Sequence, residues 1–251
     1  MSHLIVERQG AVLRITIDRP EKRNALSREV LAEIRQAFET ATGDDTIKAA
    51  VLTGAGDRCF AAGGDLKELE AIRDTAGART FSIVAKAALQ AVRDFPAPVV
   101  AGLNGDALGG GAELALACDL RAMAKHARLG FLQAKLAVTT GWGGGYDLMR
   151  RAGTATALRL LARAEMLSAE EAMALRLADA VGDDVDASVT SLLGPMLAHS
   201  AHVLRSFKSI ARAYEKEARL EVDRAETEAF ISAWVHPDHW EASAKALKKP
   251  G

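Results

Sequence analysis

The sequence predicts an α/β fold with a helical C-terminal part. Two observations lead to this prediction. In the first half of the chain, short apolar runs rich in β-branched residues alternate with segments of helical periodicity. From Tyr146 onward the pattern is almost entirely helical. Strands that alternate with helices, followed by a run of helices, are typical of an α/β core that carries an additional helical region.

The first 41 residues predict a β-hairpin followed by a helix. Two β-rich runs, 3–8 and 11–18, flank Gln9-Gly10, a pair of residues suited to a tight turn. After a polar loop, Ser27 is placed to cap a helix. Its apolar residues recur at helical spacing on one face: Val30, Leu31, Ile34, Phe38 and Ala41.

The central part of the chain predicts further strands and helices. Residues 49–53 have the apolar character of a buried strand, and residues 76–95 that of a helix, which ends before Pro96. Residues 119–124 predict another strand, and residues 130–145 a loop-rich passage. Ser168 and Glu171 have the spacing of a capping box and predict the start of a later helix.

The stretch 98–119 carries the strongest indication of a functional site. An apolar run after Pro98 predicts a strand, which passes through a turn with four glycines into an alanine-rich helix. Such a turn exposes backbone N–H groups at the start of the helix, where negative charge is favoured. Glu113 falls in the first turn of that helix. Backbone donors beside a single carboxylate predict a catalytic site.

Composition limits the partners and the compartment that we expect. A net charge of −1 disfavours nucleic acid or an anionic membrane as the main partner. No apolar run approaches the length of a membrane span, and the N-terminal residues lack the pattern of a signal peptide. The two cysteines, Cys59 and Cys118, do not form a disulfide framework and suit a reducing compartment. We therefore expect a soluble, cytoplasmic protein without nucleic-acid or membrane partners.

Five stretches, in this order and spacing, resemble the crotonase superfamily, also called the enoyl-CoA hydratase/isomerase family. They are RPEKRNAL at 19–26, VLTG at 51–54, FAAGGDLK at 60–67, the stretch 104–119 and GWGG at 141–144. Together they extend the resemblance over nearly the whole chain. Each stretch alone is moderately specific, and their shared order makes the resemblance strong.

The resemblance implies a fold and an assembly. It implies the crotonase (ClpP-like) spiral of repeated ββα units, with residues 1–195 as a core that holds the CoA-binding and active sites. Residues 196–251 would then be a helical oligomerisation region, and the protein a homotrimer or a dimer of trimers. The helical tail fits this expectation, because helices with apolar faces need a partner to bury them.

The resemblance also implies the chemistry. Family members bind an acyl-CoA thioester and stabilise an enolate at its carbonyl oxygen with two backbone N–H groups, which by motif position belong to Gly64 and Gly110. Glycine allows close approach of the backbone to a ligand, and the helix that opens near Gly110 adds a positive dipole end. Coenzyme A enters as part of the substrate, so we expect no separate cofactor and no metal.

Residues for binding CoA and the acyl group follow from the same resemblance. The CoA moiety is expected against two turns, at Lys22, Ala25, Ala62, Asp65, Leu66 and Lys67. Lys22 or Lys67 is suited to pairing with a CoA phosphate. In the loop 141–145 we expect Gly141 to contribute to the substrate site and Trp142 to line the acyl pocket.

The acid–base residues depart from the family pattern. Hydratases of the family use two glutamates around one water, and the first falls on Glu113. The second position holds Gln133. An amide can hold a water by hydrogen bonds, but it cannot exchange a proton at neutral pH. Losing a general acid or base costs about 10²–10⁴ in rate.

Three functions therefore fit the sequence. A hydratase-like lyase that uses Glu113, with a water held by Gln133, is the first expectation because the resemblance spans the whole chain. The alternatives are a decarboxylase of a malonyl-type acyl-CoA, which needs no second glutamate, and a non-catalytic acyl-CoA-binding subunit. A dehalogenase would need a nucleophilic aspartate near this loop. Asp147 is the nearby candidate, and we expect it on a solvated helix face.

Overall fold

The computed structural model describes residues 2–248, apart from the side chains of Lys216 and Glu217. Its N-terminal part confirms the predicted hairpin and capped helix. Strands β1 (Leu4–Gln9) and β2 (Val12–Ile17) pair antiparallel, and α1 (Arg28–Ala41) follows. Ser27 Oγ accepts a hydrogen bond from Val30 N at 3.2 Å, as expected of an N-cap.

Three successive units then repeat the order strand, strand, helix. The first contains β3 (Ala49–Gly54), β4 (Cys59–Ala61), the short α2 (Leu66–Leu69) and α3 (Thr75–Asp94). The second contains β5 (Val99–Leu103), β6 (Asp106–Leu108) and α4 (Gly110–Ala117). The third contains β7 (Leu120–Ala124), β8 (Leu129–Gly130), a 3-10 turn (Gln133–Leu136) and α5 (Gly144–Ala152). The strands predicted at residues 49–53, after Pro98 and at residues 119–124 are thereby confirmed.

The two strands of each unit belong to different sheets. One sheet has the order β1-β2-β3-β5-β7-β10, and the other has the order β4-β6-β8-β9. The first strands β3, β5 and β7 are parallel neighbours in the larger sheet, and the second strands β4, β6 and β8 are parallel neighbours in the smaller sheet. The carboxyl ends of β4, β6 and β8 therefore meet at one edge, and so do the turns that follow them.

The prediction that the chain is almost entirely helical after Tyr146 is wrong at two short strands. Strand β9 (Met166–Leu167) pairs antiparallel with β8, and β10 (Ala180–Gly182) pairs parallel with β7. Segments of two or three residues are too short to show a strand period, and the open edge of each sheet supplies their hydrogen bonds. The other elements are helical: α6 (Thr154–Arg163), α7 (Ala169–Ala174), α8 (Val185–Leu197), α9 (Ala201–Trp234) and α10 (Pro237–Leu247).

The helices cover the larger sheet and enclose the main apolar core. Phe38 of α1 and Phe95, which follows α3, are fully buried with ring centroids 5.3 Å apart in an edge-to-face arrangement. The capping box at Ser168 and Glu171 is present at the start of α7, as predicted. Among the described helices, none combines the length and apolar character needed to cross a membrane.

Helix α9 packs against α3 and α5. Phe230 and Trp234 of this helix are 3% and 5% exposed, so both are part of the core. The Trp234 ring lies 4.6 Å from the His239 ring of α10, centroid to centroid. The C-terminal helices therefore border the edge where the turns after β4, β6 and β8 meet.

Candidate active site

The turns after β4 and β6 are in direct contact. Gly63, in the first turn, has a positive φ of 89°, which glycine adopts without strain. A Cβ added to it would lie 2.9 Å from Leu108 O and 3.3 Å from Gly110 N, at the end of β6. The absence of a side chain at this position thus lets the two glycine turns approach each other closely.

The backbone amides of Gly64 and Gly110 are free to bind a ligand. Within residues 2–248 neither amide donates a hydrogen bond to the protein. Both residues line the same cavity. The indole of Trp142 covers their Cα atoms, since a Cβ on Gly110 would stand 2.5 Å from Trp142 Cη2 and one on Gly64 would stand 3.7 Å from Trp142 Cζ2. The two predicted oxyanion donors are therefore brought together.

Glu113 lies in the same cavity and is almost fully buried, with 2% exposure. Its Oε2 accepts hydrogen bonds from Trp142 N and Gly144 N, each at 2.9 Å. Its Oε1 accepts from Gln133 Nε2 at 2.9 Å and from Gly141 N at 3.4 Å. The predicted helix position of Glu113 is confirmed, and these donors fix the orientation of its carboxyl group.

Burial, together with the carboxylate of Glu226, raises the pKa of Glu113 to about 7. The hydrogen bonds from Gly144, Trp142 and Gln133 act in the opposite direction and limit the rise in this pKa. A carboxyl group whose pKa lies near neutral pH can both accept and return a proton. The environment of Glu113 is thus suited to acid–base chemistry.

Gln133 begins the turn after β8 and is 8% exposed. Because its Nε2 donates to the Glu113 carboxyl group, its Oε1 is the atom left to accept a hydrogen bond. Among the described residues, this buried oxygen has no partner. Buried polar atoms are generally satisfied, so an unpartnered acceptor beside a carboxyl group favours a ligand that donates a proton or a hydrogen bond there.

The cavity around these groups has a volume of about 490 Å³ and mostly apolar walls. Its large apolar lining residues come from positions 66–142 and from the second half of α9: Leu66, Leu69, Phe81, Leu108, Leu132, Leu136, Val138, Trp142, Phe230 and Trp234. Phe81 contacts both indoles, with its centroid 5.7 Å from that of Trp142 and 5.9 Å from that of Trp234. Such a lining suits an apolar substrate group.

A second, wider groove of about 830 Å³ adjoins the cavity. It is lined by all six residues predicted to bind CoA, namely Lys22, Ala25, Ala62, Asp65, Leu66 and Lys67. The groove and the inner cavity share Arg23, Ala62, Gly64 and Leu66, so they are continuous. The structure thus places the six residues on one surface beside the cavity, and their role in binding CoA stays a prediction.

Gly141 and Trp142 occupy different places in their loop. Trp142 lines the cavity, as stated above. Gly141 lies behind it, where its carbonyl accepts a hydrogen bond from Ser82 Oγ at 2.7 Å and where a Cβ would collide with the Phe230 ring. The position of Gly141 supports the loop, and a direct role in substrate binding stays a prediction.

The expectation that Asp147 lies on a solvated helix face is wrong. This residue is 1% exposed. Its carboxylate binds Arg93 of α3, with Nη2 at 2.8 Å, and Arg219 of α9. Burial alone would raise the pKa of Asp147, but Arg93 and Arg219 hold it below its usual value. The periodicity of α5 did not reveal that two other helices pack over this face.

Four site residues were missed by the sequence analysis. Arg23 lines both the groove and the cavity. Phe230 and Trp234 line the cavity, and Glu226 lies beside the start of α5, where Gly145 N donates to its Oε1 at 2.9 Å. Positions 226, 230 and 234 recur every four residues, so they share one face of α9. This spacing predicts that the three side chains lie on the same side of the helix. It does not predict that this side faces the glycine turns.

A buried acid–base group beside two free amide donors, at the end of an apolar cavity, is the arrangement of an enzyme that acts on a carbonyl compound. Comparison with known proteins defines its family. A family model described as "Enoyl-CoA hydratase/isomerase" matches residues 7–248. The chain belongs to the enoyl-CoA hydratase/isomerase family, and the resemblance to the crotonase superfamily is confirmed.

Relatives of known name and structure agree with this assignment. The chain is 30% identical to the short-chain-enoyl-CoA hydratase of Clostridium acetobutylicum, over 99% of this chain and 96% of that protein. It is 33% identical to the 2,3-dehydroadipyl-CoA hydratase of Escherichia coli, over 99% and 97% of the two chains. The crystal structure of an enoyl-CoA hydratase/isomerase from Mycobacterium paratuberculosis superimposes with a TM-score of 0.89 at 25% identity, covering 97% of this chain and 98% of that one. The predicted crotonase fold is thereby confirmed.

Proposed function

We propose that the protein hydrates 2-enoyl-CoA thioesters, adding water across the double bond next to the thioester carbonyl. The observation that carries the proposal is the placement of Glu113 and Gln133 in one cavity with the free amides of Gly64 and Gly110. The hydratase names of the relatives support the same reaction. In this proposal the apolar cavity takes the acyl group.

In the first step the thioester carbonyl oxygen accepts hydrogen bonds from Gly64 N and Gly110 N. Glu113 removes a proton from water, the water oxygen bonds to the β-carbon, and the double-bond electrons move toward the carbonyl oxygen. The two amides stabilise the negative charge that develops there, and losing one such donor typically costs about 10²–10³ in rate. The product of this step is an enolate with a hydroxyl group on its β-carbon.

In the second step Glu113 returns the proton to the α-carbon. The enolate collapses to the thioester, and Glu113 is again ionised, so atoms and charge balance over the two steps. A single carboxyl group can serve both steps only when its proton affinity suits both directions of transfer. A pKa of about 7 for Glu113 meets this condition near neutral pH.

Gln133 positions the water in this scheme. Its Oε1 has no partner in the described part of the chain and is available to accept one hydrogen atom of the attacking water. The other hydrogen atom then points toward Glu113, whose Oε1 lies 2.9 Å from Gln133 Nε2. The amide thus orients the nucleophile without exchanging a proton.

The proposal is tested by incubating the purified protein with crotonyl-CoA. Hydration is followed by the loss of the conjugated enoyl-thioester absorbance and by the mass of one added water in the product. In Glu113→Gln, turnover should fall by about 10²–10⁴, while the thioester still binds. Retained turnover in this variant would remove Glu113 from the mechanism.

The same assay distinguishes the decarboxylase and binding-only alternatives. Methylmalonyl-CoA and ethylmalonyl-CoA are supplied in parallel, and CO₂ release is measured. Release of CO₂ without hydration of crotonyl-CoA would contradict the proposal and favour decarboxylation. Tight binding of both thioesters without any turnover would favour a non-catalytic subunit.

We further propose that the groove holds the CoA moiety, with Lys22 and Lys67 on its phosphates. Both side chains line the groove next to the cavity, as a thioester with its acyl group in the cavity would require. Lys22→Glu and Lys67→Glu should raise the KM for the thioester more than they lower kcat, because they remove binding that is equal in ground and transition states. An unchanged KM in both variants would exclude these lysines.

We propose a homotrimer, or a dimer of trimers, as the assembly. Val203, Phe207, Ile210 and Tyr214 recur at helical spacing along α9 and are 41%, 64%, 67% and 90% exposed. An exposed apolar stripe of this length is typical of an oligomer interface. Phe207→Glu with Ile210→Glu should dissociate the assembly in light-scattering measurements; a wild-type protein of monomer mass would contradict the proposal.

The proposed compartment is the cytoplasm. Cys59 and Cys118 are both unpaired and buried. Free thiols persist in a reducing compartment, where acyl-CoA thioesters would also be available to the enzyme. Fractionation of cells that produce the tagged protein tests this location.

A further inference from the structure

Two consecutive amides at the start of α5 bind two different carboxyl groups. Gly144 N donates to Glu113 Oε2 at 2.9 Å, and Gly145 N donates to Glu226 Oε1 at 2.9 Å. A side chain at residue 144 would collide with Glu113, and a Cβ at residue 145 would lie 2.8 Å from Glu226 Oε1. The two glycines are therefore needed because a carboxyl group approaches the helix start from each side.

The second carboxyl group is buried and incompletely compensated. The Glu226 side chain is 7% exposed, and its Oε2 has no hydrogen-bond partner within residues 2–248. Lys86 Nζ lies 3.6 Å from this oxygen, but it directs hydrogen bonds of 2.7 Å to Asp223 O and to Thr227 Oγ1 instead. An unpartnered buried carboxylate oxygen is costly for stability, which favours a functional reason for it.

We propose that Glu226 is a positioning residue of the active site, which holds the start of α5 against Glu113 and places a second negative charge behind it. The inference rests on the proposed hydration, in which Glu113 must both take and return a proton. A nearby negative charge favours the protonated form of a carboxyl group. Glu226 would thus compensate for the amide at position 133 without touching the substrate.

Other charged groups lie in the same region. They come from three helices: Lys86 and Arg93 of α3, Asp147 of α5, and Arg219 and Asp223 of α9. Arg93 and Arg219 both bind Asp147. Arg23 and Lys135 line the cavity itself. After burial, the carboxylate of Glu226 is the largest influence on the pKa of Glu113, and it raises that pKa.

The variant Glu226→Gln tests the effect of the negative charge of Glu226 separately from its hydrogen bond to the start of α5. The amide oxygen can still accept the hydrogen bond from Gly145 N, whereas the negative charge is removed. The acid limb of the kcat/KM profile for crotonyl-CoA should move to lower pH by roughly one unit. Lys86→Met removes the cation next to Glu226. Because a nearby cation favours the ionised form of a carboxyl group, its loss should move the acid limb to higher pH. The matched control is Glu228→Gln, two residues further along α9, where the exposed Glu228 pairs with Arg79 and no shift is expected.

Two results would overturn the proposal. One is an acid limb that stays in place in Glu226→Gln. The other is an equal shift in Glu228→Gln, which would indicate a general charge effect. If Glu226→Gln fails to fold, the acid limb is measured in Lys86→Met, where it should move to higher pH.

A second measurement keeps the inference independent of the proposed hydration. If the wild-type protein hydrates no enoyl-CoA, the proposed function fails, and the titration of Glu113 is measured instead by infrared difference spectroscopy. The relevant carboxyl band is the one that disappears in Glu113→Gln. Its midpoint should be lower in Glu226→Gln than in the wild type, and equal midpoints would exclude Glu226 as the positioning residue.

Discussion

The side-chain amide of Gln133 donates a hydrogen bond of 2.9 Å to Oε1 of Glu113, and both side chains are buried. Position 133 therefore contacts the acid–base residue directly, although it holds no ionisable group. The contact fixes the orientation of the amide, because the carboxyl oxygen takes its N–H group and leaves the amide oxygen facing other donors. Gln133 stands where the family pattern implies a second glutamate, and it thus lies within hydrogen-bond distance of Glu113.

Gln133→Glu should increase hydration by supplying the missing second carboxyl group. Two carboxyl groups at this distance cannot both ionise readily, so they share a proton and one of them can act as the acid. We expect kcat for crotonyl-CoA to rise by about tenfold or more. The acid limb of the pH profile should move to higher pH, because the new negative charge raises the proton affinity of the pair.

The matched control is Gln133→Met, which removes both the donor and the acceptor and should lower kcat below that of the wild type. Steady-state rates over the pH range give both quantities. A Gln133→Glu variant that is slower than the wild type at every pH would show that the amide itself is required.

Glu113→Gln should stabilise the folded protein at alkaline pH. The pKa of Glu113 is raised from 4.5 to about 7, so the folded state disfavours the ionised form. This unfavourable contribution is absent below pH 4.5, grows between pH 4.5 and 7, and is complete above pH 7. At pH 8 the variant should be more stable by about 2 kcal/mol, since one pKa unit corresponds to roughly 1.4 kcal/mol and the lost carboxylate hydrogen bonds offset part of the gain.

Thermal unfolding of the two proteins between pH 4 and 8 measures the difference. The Tm values should coincide near pH 4 and separate as the pH rises. A Tm difference that does not depend on pH would contradict the raised pKa of Glu113.

Gly110→Ala should inactivate the enzyme while leaving the fold intact. The added Cβ would stand 2.5 Å from Trp142 Cη2, so the indole must move into the cavity. The carbonyl oxygen of a substrate could then no longer approach the Gly64 and Gly110 amides, and kcat/KM for crotonyl-CoA should fall by about 10²–10³. The control is Gly194→Ala in α8, where a Cβ meets nothing within 4 Å. Unchanged activity in Gly110→Ala would contradict the predicted displacement of the indole, since alanine keeps the backbone N–H group.

Local signals in the sequence were sufficient to predict much of the fold. The hairpin and the caps at Ser27 and Ser168 depend on neighbouring residues, so periodicity and side-chain chemistry revealed them. Strands β9 and β10 could not be predicted, because two or three residues carry no period and their pairing depends on sheets formed elsewhere.

The candidate site was predictable where it depends on motifs. Gly64, Gly110 and Glu113 follow from glycine turns and a helix start, and the structure places them in one cavity. The contact between Glu226 and Gly145 and the burial of Asp147 depend instead on how α9 packs against α3 and α5. These two helices are far from α9 in the sequence. Long-range packing of this kind leaves no local pattern.

Asp147→Asn should destabilise the protein strongly, because it removes the buried carboxylate that pairs with two buried guanidinium groups. The carboxylate binds Arg93 and Arg219, and all three side chains are at most 6% exposed. Removing one partner of a buried ion pair costs about 3–5 kcal/mol, which in a protein of this size lowers Tm by roughly 10 °C. Because Arg93 and Arg219 lower the pKa of Asp147, although burial opposes them, the Tm difference should persist at neutral pH and narrow only as the pH falls below 3.8, the ordinary aspartate value.

Asp186→Asn serves as the control, since the exposed Asp186 pairs with Arg14 at the surface and should contribute little. Arg219 belongs to α9, so the loss of Asp147 should also loosen the helix that carries Phe230 and Trp234 into the cavity. Hydrogen exchange in the second half of α9 should therefore increase in Asp147→Asn and remain unchanged in Asp186→Asn. Equal Tm values for the two variants would mean that the buried cluster does not hold α9 in place.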